Sequence, residues 1–235
     1  MGQADGVRDV VRAPAKLTLS LRVTGVRDDG YHLIDAEMVS LDLADTLTVS
    51  DGTGVSVVGA DVEDTLVARA LAAVGRSANV VIDKRIPAGA GLGGGSSDAA
   101  AVLRWAGCTD LDVAVGLGAD VAFCLVGGRA RVQGIGEVVE PLPFVDQELT
   151  LLTPPFGVSS AAVYAAWDRL GGPVGPNGND LEPAALAVEP RLAEWRDRLG
   201  DATGLTPRLA GSGSTWFVEG AFPGDDRVVT RTDRP

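Results

Sequence analysis

The sequence predicts an α+β protein: strands and helices are interspersed along it without strict βαβ repetition. Three observations carry that expectation. The first sixty residues read as strands, and from Asp64 onward helical spacing alternates with short apolar runs. The length, 235 residues, suits one large domain or two small ones sharing a core. PLPF at 141–144 is the expected joint between the halves.

Taken in order, Leu17, Leu19, Leu21 and Val23 alternate with Lys16, Thr18, Ser20 and Arg22, the period of a half-buried strand with its polar set on one face. Asp29-Gly30 marks a turn, and a second strand follows over 33–43. Thr46–Ser50 and Val55–Val58 read as two more short strands. Asp64 caps a helix whose apolar positions are Leu66, Val67, Ala70, Leu71 and Val74. A strand over 79–83 leads into a glycine-rich stretch and then a helix that starts near Ser96 or Ser97 and runs to Trp105. A short helical piece follows Asp110, and 129–139 form a hairpin turning at Gly134–Gly136. The second half gives a strand at 149–153, a helix at 159–170, a Gly/Pro-rich loop and a helix at 190–199. It closes with strands near 208–210, 216–219 and 227–232.

The composition excludes several classes. Net charge is −12 with no basic run, a poor footprint for a nucleic-acid backbone. No apolar run approaches the roughly 18 residues of a membrane span. Two cysteines, Cys108 and Cys124, make neither a disulfide framework nor a zinc site. One histidine, His32, rules out a histidine-rich metal cluster, and no protein metal ligands are expected. The setting expected is a reducing cytoplasm.

The strongest chemical feature is PAGAGLGGGSS: Pro87, Ala88, Gly89, Ala90, Gly91, Leu92, Gly93, Gly94, Gly95, Ser96 and Ser97. Glycines let successive backbone N–H groups face one concavity, and the helix behind adds the positive end of its dipole. Such a cradle suits a polyphosphate, with Ser96 and Ser97 capping the helix or bonding a phosphate oxygen. A mobile surface loop is the bland reading of the same residues. A Walker A loop would need lysine where Ser96 stands. Gly89, Gly91 and Gly94 also satisfy G-x-G-x-x-G, with Asp110 about twenty residues on, so a nicotinamide-dependent oxidoreductase stays open as an alternative. Of the chain's two lysines, Lys16 sits on a polar strand face as a compact point charge or a solvated one. Asp120, amid Val121, Ala122 and Phe123, is a helix cap or a group with a task.

Together these segments resemble the GHMP kinase superfamily and, within it, the 4-diphosphocytidyl-2-C-methyl-D-erythritol kinase family. The resemblance is carried by APAKLTLSL at 13–21, DDGYHL at 28–33, the stretch 82–103, LGADVAFCL at 117–125, GIGE at 134–137, GVSSAAVY at 157–164, NDLEPAAL at 179–186 and LAGSGSTWF at 209–217. It implies a two-subdomain fold, an ATP-binding part over 1–143 and a shortened C-terminal part over 144–235, with the cleft between them. It implies transfer of phosphate from ATP, as its Mg2+ complex, to the 2-hydroxyl of a cytidylyl methylerythritol on the non-mevalonate route to isoprenoid precursors. The partners implied are these small molecules, with the chain a monomer or a homodimer. Asp120 would be the general base and Lys16 its electrostatic partner, with Pro87–Ser97 around the ATP phosphates and Thr65 on the adenine side. Tyr31 and Tyr164 would flank the cytosine, His32 would bond its polar edge, and Thr18 would touch the substrate. Family members usually carry Asn at the positions of Thr18 and Thr65 and Pro at that of Ala122. A non-catalytic nucleotide-binding relative is the other reading.

Overall fold

The computed structural model describes residues 8–59 and 65–235. Two long antiparallel strands, β1 (Arg8–Val26) and β2 (His32–Ser50), organise the first sheet. β2 is the hub. β1 runs along one of its edges, while β4 (Asn79–Asp83) pairs with Thr46–Ser50 and β5 (Arg129–Gly134) with residues 34–39 on the other. β3 (Gly54–Val58) joins β4 in parallel, and β6 (Val138–Pro141) joins β5 antiparallel.

Thr46–Ser50 is therefore the far half of β2, not a strand of its own. The apparent break comes from Asp45, a carboxylate in mid-strand that is fully buried. Its Oδ1 accepts the N–H groups of Arg85 (2.5 Å) and Ile86 (2.8 Å), and its Oδ2 meets Lys84 Nζ at 2.6 Å. Lys84 Nζ also reaches Asp98 Oδ2 at 2.7 Å. Burial pulls the Lys84 pKa down, but the charges of Asp98 and Asp45 outweigh it and leave it above the ordinary lysine value.

Strand β1 corrects a second expectation. Ala13 belongs to the larger core, Ala15 and Leu17 to a smaller one, and Leu21 to the larger again. Residues of one parity can change face only if the pairing slips, and it does, between Pro14 and Lys16 and between Thr18 and Ser20. The polar set is split by these bulges, and Lys16 and Thr18 come to share a face with Leu21.

The helices of the first half are α1 (Thr65–Ala73), α2 (Gly94–Trp105), α3 (Leu111–Leu117) and α4 (Ala119–Val126). Asp64, the expected cap of α1, lies outside the described residues. α2 packs on β1, α1 and α4 through Ala99–Leu103, which have no exposure at all. Its small side chains allow that close approach. Asp110 caps α3 by accepting the Asp112 N–H at 2.9 Å, worth about 1 kcal/mol.

The second sheet runs β10 (Val228–Arg231), β7 (Glu148–Leu152), β9 (Trp216–Glu219), β8 (Arg208–Leu209), all antiparallel. Between β7 and β8 come α5 (Ser160–Arg169), α6 (Glu182–Val188) and α7 (Leu192–Thr203). α6 falls in the stretch expected as a Gly/Pro-rich loop; Pro183 stands in its first turn, where the missing N–H costs nothing. Burial of Glu182 there pushes its pKa up to about 7, against the pull of Arg196. Residues 220–227 join β9 to β10 without a helix. The sheet is fastened to β2 where Leu41 bridges Thr232 and Asp42 accepts the Arg231 N–H at 2.9 Å.

Lys84 is the joint of β2, the glycine segment and α2, and its loss would leave two buried carboxylates without their cation. Lys84→Met should lower stability to urea by about 3–5 kcal/mol. A loss below about 1 kcal/mol would mean the three groups are not coupled.

Candidate active site

A cleft of about 850 Å³ opens between the bulged part of β1, the start of α4 and the inner face of α5. Lys16, Thr18, Tyr31, His32, Ser96, Asp120 and Tyr164 all line it. Residues separated by up to 148 positions in sequence, from Lys16 to Tyr164, thus meet at one place.

Its floor is an ion pair. Lys16 Nζ lies 3.1 Å from Asp120 Oδ2 and donates to Thr18 Oγ1 at 3.3 Å. The lysine side chain is 9% exposed and the aspartate 35%, so the cation is sheltered while the carboxylate opens to the cleft. Asp120 stands in the first turn of α4, where the helix dipole favours a negative charge. Thr18, 2% exposed, spends its hydroxyl oxygen on holding Lys16.

The glycine segment is laid over this floor. Ala90 and Leu92 drop into the smaller core between the sheets, while Gly89, Gly91 and Gly93 take φ of 70, 77 and 69°. Thr215 clamps the Ala90 carbonyl with its N–H (3.2 Å) and Oγ1 (2.8 Å), and the Lys16 N–H donates to the Leu92 carbonyl at 2.9 Å. A Cβ on Gly91 would run into the Gly213 carbonyl, and one on Gly93 would sit 2.6 Å from Lys16 Cγ. These glycines are required by close packing as much as by positive φ. Pro87, Ala88 and Gly89 are exposed at the outer end of the segment.

Helix α2 begins at Gly94, two residues before the expected start, behind a Gly93 that offers no side-chain cap. The first-turn N–H groups of Gly94, Gly95 and Ser96 thus have no side-chain cap, the arrangement that favours an anion at a helix N-terminus. Ser97 is a correction. Its hydroxyl is buried and donates to the Pro14 carbonyl at 2.6 Å, with Cys124 Sγ at 3.3 Å, so it bolts α2 to β1 and is not free for phosphate. Burial, above all, pushes the Cys124 thiol up to about 12. Thr65 opens α1, but its side chain lies outside the described residues.

At the other end, Tyr31 stands 60% exposed on the turn before β2, beneath the Arg27 guanidinium at 5.9 Å. His32 stacks at a tilt on Tyr164, centroids 4.7 Å apart, with Trp167 edge-on at 5.6 Å. Burial and then the Asp120 charge push the Tyr164 hydroxyl up to about 12. His32 Nε2 is 2.8 Å from Asp168 Oδ1. Sequence reasoning missed Asp168, and also Ser160 and Ser212, whose hydroxyls bond each other at 2.7 Å on the cleft wall. One signal was there: Asp168 lies one helical turn beyond Tyr164 and so shares its face.

The dinucleotide alternative finds no footing. β4 is antiparallel to β2, and five residues separate its end from Gly89, so the strand does not feed the glycines directly as that fingerprint requires.

Two sheets flanked by helices, with a glycine cradle laid over a lysine–aspartate pair, define the architecture of a GHMP kinase. Residues 64–128 match the family model for the GHMP kinases N terminal domain. A crystal structure of 4-(cytidine 5'-diphospho)-2C-methyl-D-erythritol kinase superposes with a TM-score of 0.76 at 30% identity, covering 97% of this chain and all of that one. The 4-diphosphocytidyl-2-C-methyl-D-erythritol kinase of Paracoccus denitrificans (strain Pd 1222) is 39% identical over 87% of this chain and 84% of its own length. That of Ruegeria pomeroyi is 38% identical over 91% and 88%. A homoserine kinase from Cytophaga hutchinsonii (TM-score 0.62, 18% identity, covering 100% of this chain and 97% of that one) shares the fold alone. The chain belongs to the 4-diphosphocytidyl-2-C-methyl-D-erythritol kinase family.

Gly93 tests the cradle. Gly93→Ala forces a Cβ onto the Lys16 stem and a side chain into positive φ, so both the amide run and the cation beneath it must shift. The Kd for ATP, by titration calorimetry, should rise about tenfold or more. An unchanged Kd would remove residues 87–96 from the phosphate site.

Proposed function

We propose that this protein is an ATP-dependent kinase that phosphorylates the 2-hydroxyl of 4-diphosphocytidyl-2-C-methyl-D-erythritol, on the non-mevalonate route to isoprenoid precursors. The observation that carries the reading is the 3.1 Å contact between Lys16 Nζ and Asp120 Oδ2, open to the cleft on the carboxylate side, with the glycine segment packed on the lysine stem at Gly93. Phosphoryl transfer asks little covalent chemistry of a protein and much positioning and charge neutralisation. The segment Pro87–Ser96 wraps the ATP phosphates, through its backbone N–H groups from Ala88 onward and the α2 N-terminus, with Thr65 on the adenine side. Mg2+ would come with the nucleotide as its phosphate complex and would neutralise charge on the phosphates.

The acceptor hydroxyl binds at Asp120, whose Oδ1, unbonded among the described residues, takes its proton, and Lys16 steadies that carboxylate from the sheltered side. Its ammonium also neutralises charge that builds on the transferring group. Thr18 keeps Lys16 in place, where family members usually carry Asn. Tyr31 and Tyr164 flank the cytosine and His32 bonds its edge, which puts the base at the far end of the same cleft. The division of the chain falls at 143/144, between the end of β6 at Pro141 and the start of β7 at Glu148. The two free thiols, Cys108 and Cys124, fit a reducing cytoplasm.

Asp120→Asn should lower kcat by about 10²–10⁴, the usual worth of a general base, in an ADP-release assay, with Kd for the cytidylyl substrate nearly unchanged. A variant within about threefold of wild type would take Asp120 out of proton transfer.

A further inference from the structure

We propose that Asp168 is a specificity-determining positioning residue: by fixing which nitrogen of His32 carries the proton, it sets what His32 offers to the base of the substrate. The proposal rests on the reading that places the cytosine beside His32.

The geometry is direct. Asp168 reaches from α5 across the cleft wall, and its Oδ1 lies 2.8 Å from His32 Nε2. An ionised carboxylate can only accept, so Nε2 must bear the hydrogen. In a neutral imidazole that choice makes Nδ1 an acceptor. No described residue bonds Nδ1, and the ring cannot easily turn, being stacked on Tyr164 and met edge-on by Trp167. The histidine side chain is 9% exposed and the aspartate 49%, so the carboxylate remains hydrated while the ring it orients is enclosed.

An acceptor at that position discriminates. Cytosine presents an exocyclic amino donor at the place where uracil presents a carbonyl acceptor. Nδ1 as acceptor therefore pairs with a cytidylyl substrate and faces a like partner in a uridylyl one. The opposite tautomer would reverse the preference. Asp168 touches neither base nor phosphate in this scheme, and acts through His32.

His32 is the only histidine in the chain, so its nitrogen resonances are unambiguous. Long-range proton–nitrogen NMR of the wild-type protein at about pH 8 should show the proton on Nε2 and an unprotonated Nδ1. In Asp168→Asn the amide can donate to Nε2, and a substantial share of the proton should move to Nδ1. The ratio of kcat/KM for the cytidylyl substrate to that for its uridylyl analogue should then fall about tenfold, chiefly through KM. Asp168→Glu, which keeps the carboxylate, should restore most of the ratio. A wild-type proton on Nδ1 would overturn the proposal whatever the variants do. So would a variant with a shifted tautomer and an unchanged ratio, or one in which kcat collapses equally for both substrates. A wild-type enzyme that treats the two substrates alike would instead refute the placement of the base, and the proposal with it.

Discussion

Everything in the cleft depends on how the glycine segment is seated on the edge of β1. That edge would otherwise present unpaired backbone groups. It is closed at one point by the Lys16 N–H on the Leu92 carbonyl at 2.9 Å and at another by the Asp180 N–H on the Leu21 carbonyl at 2.9 Å. So close an approach leaves no room for side chains on the facing side, whereas Ala90 and Leu92 on the other side fill the core between the sheets. One arrangement thus completes a core, covers a strand edge and leaves the first turn of α2 uncapped.

Electrostatics follow from the same seating. In a chain of net charge −12, both lysines lie under this segment, each sheltered and each held by carboxylates. Their surroundings give them different tasks. Lys84 is enclosed with Asp45 and Asp98, which have no exposure, and serves to join three elements. Lys16 meets one carboxylate, which opens to the cleft, so its charge is available to an anion there. The positive ends of α2 and α4 converge on the same space, concentrating favourable potential where an otherwise acidic protein must receive two anionic ligands.

Much of this was legible in the sequence because local rules and tertiary demands agree there. β4 falls on Asn79–Asp83 as expected, β9 on Trp216–Glu219, and the hairpin turn on Gly134–Gly136. Where the reading failed, a distant partner had changed the local rule. Asp45 breaks an apolar run on paper, but Lys84 and two backbone N–H groups satisfy it inside β2. The alternation from Lys16 to Val23 promised one polar face, and register slips against β2 divided it. Ser97 looked like a phosphate ligand until the Pro14 carbonyl claimed its hydroxyl. Asp168 shared a helical face with Tyr164, but its partner, His32, lies 136 residues away, so the pairing itself could not be read from spacing. The meeting of Lys16 and Asp120 came from family resemblance; no spacing in the chain would have paired them.

The most direct test of the account is phosphorus NMR of wild-type protein incubated with ATP, Mg2+ and the cytidylyl methylerythritol. The account predicts one new phosphomonoester resonance, growing in step with ADP while the diphosphate bridge of the substrate stays intact. ADP accumulating without a new ester, or no ATP consumption at all, would contradict it.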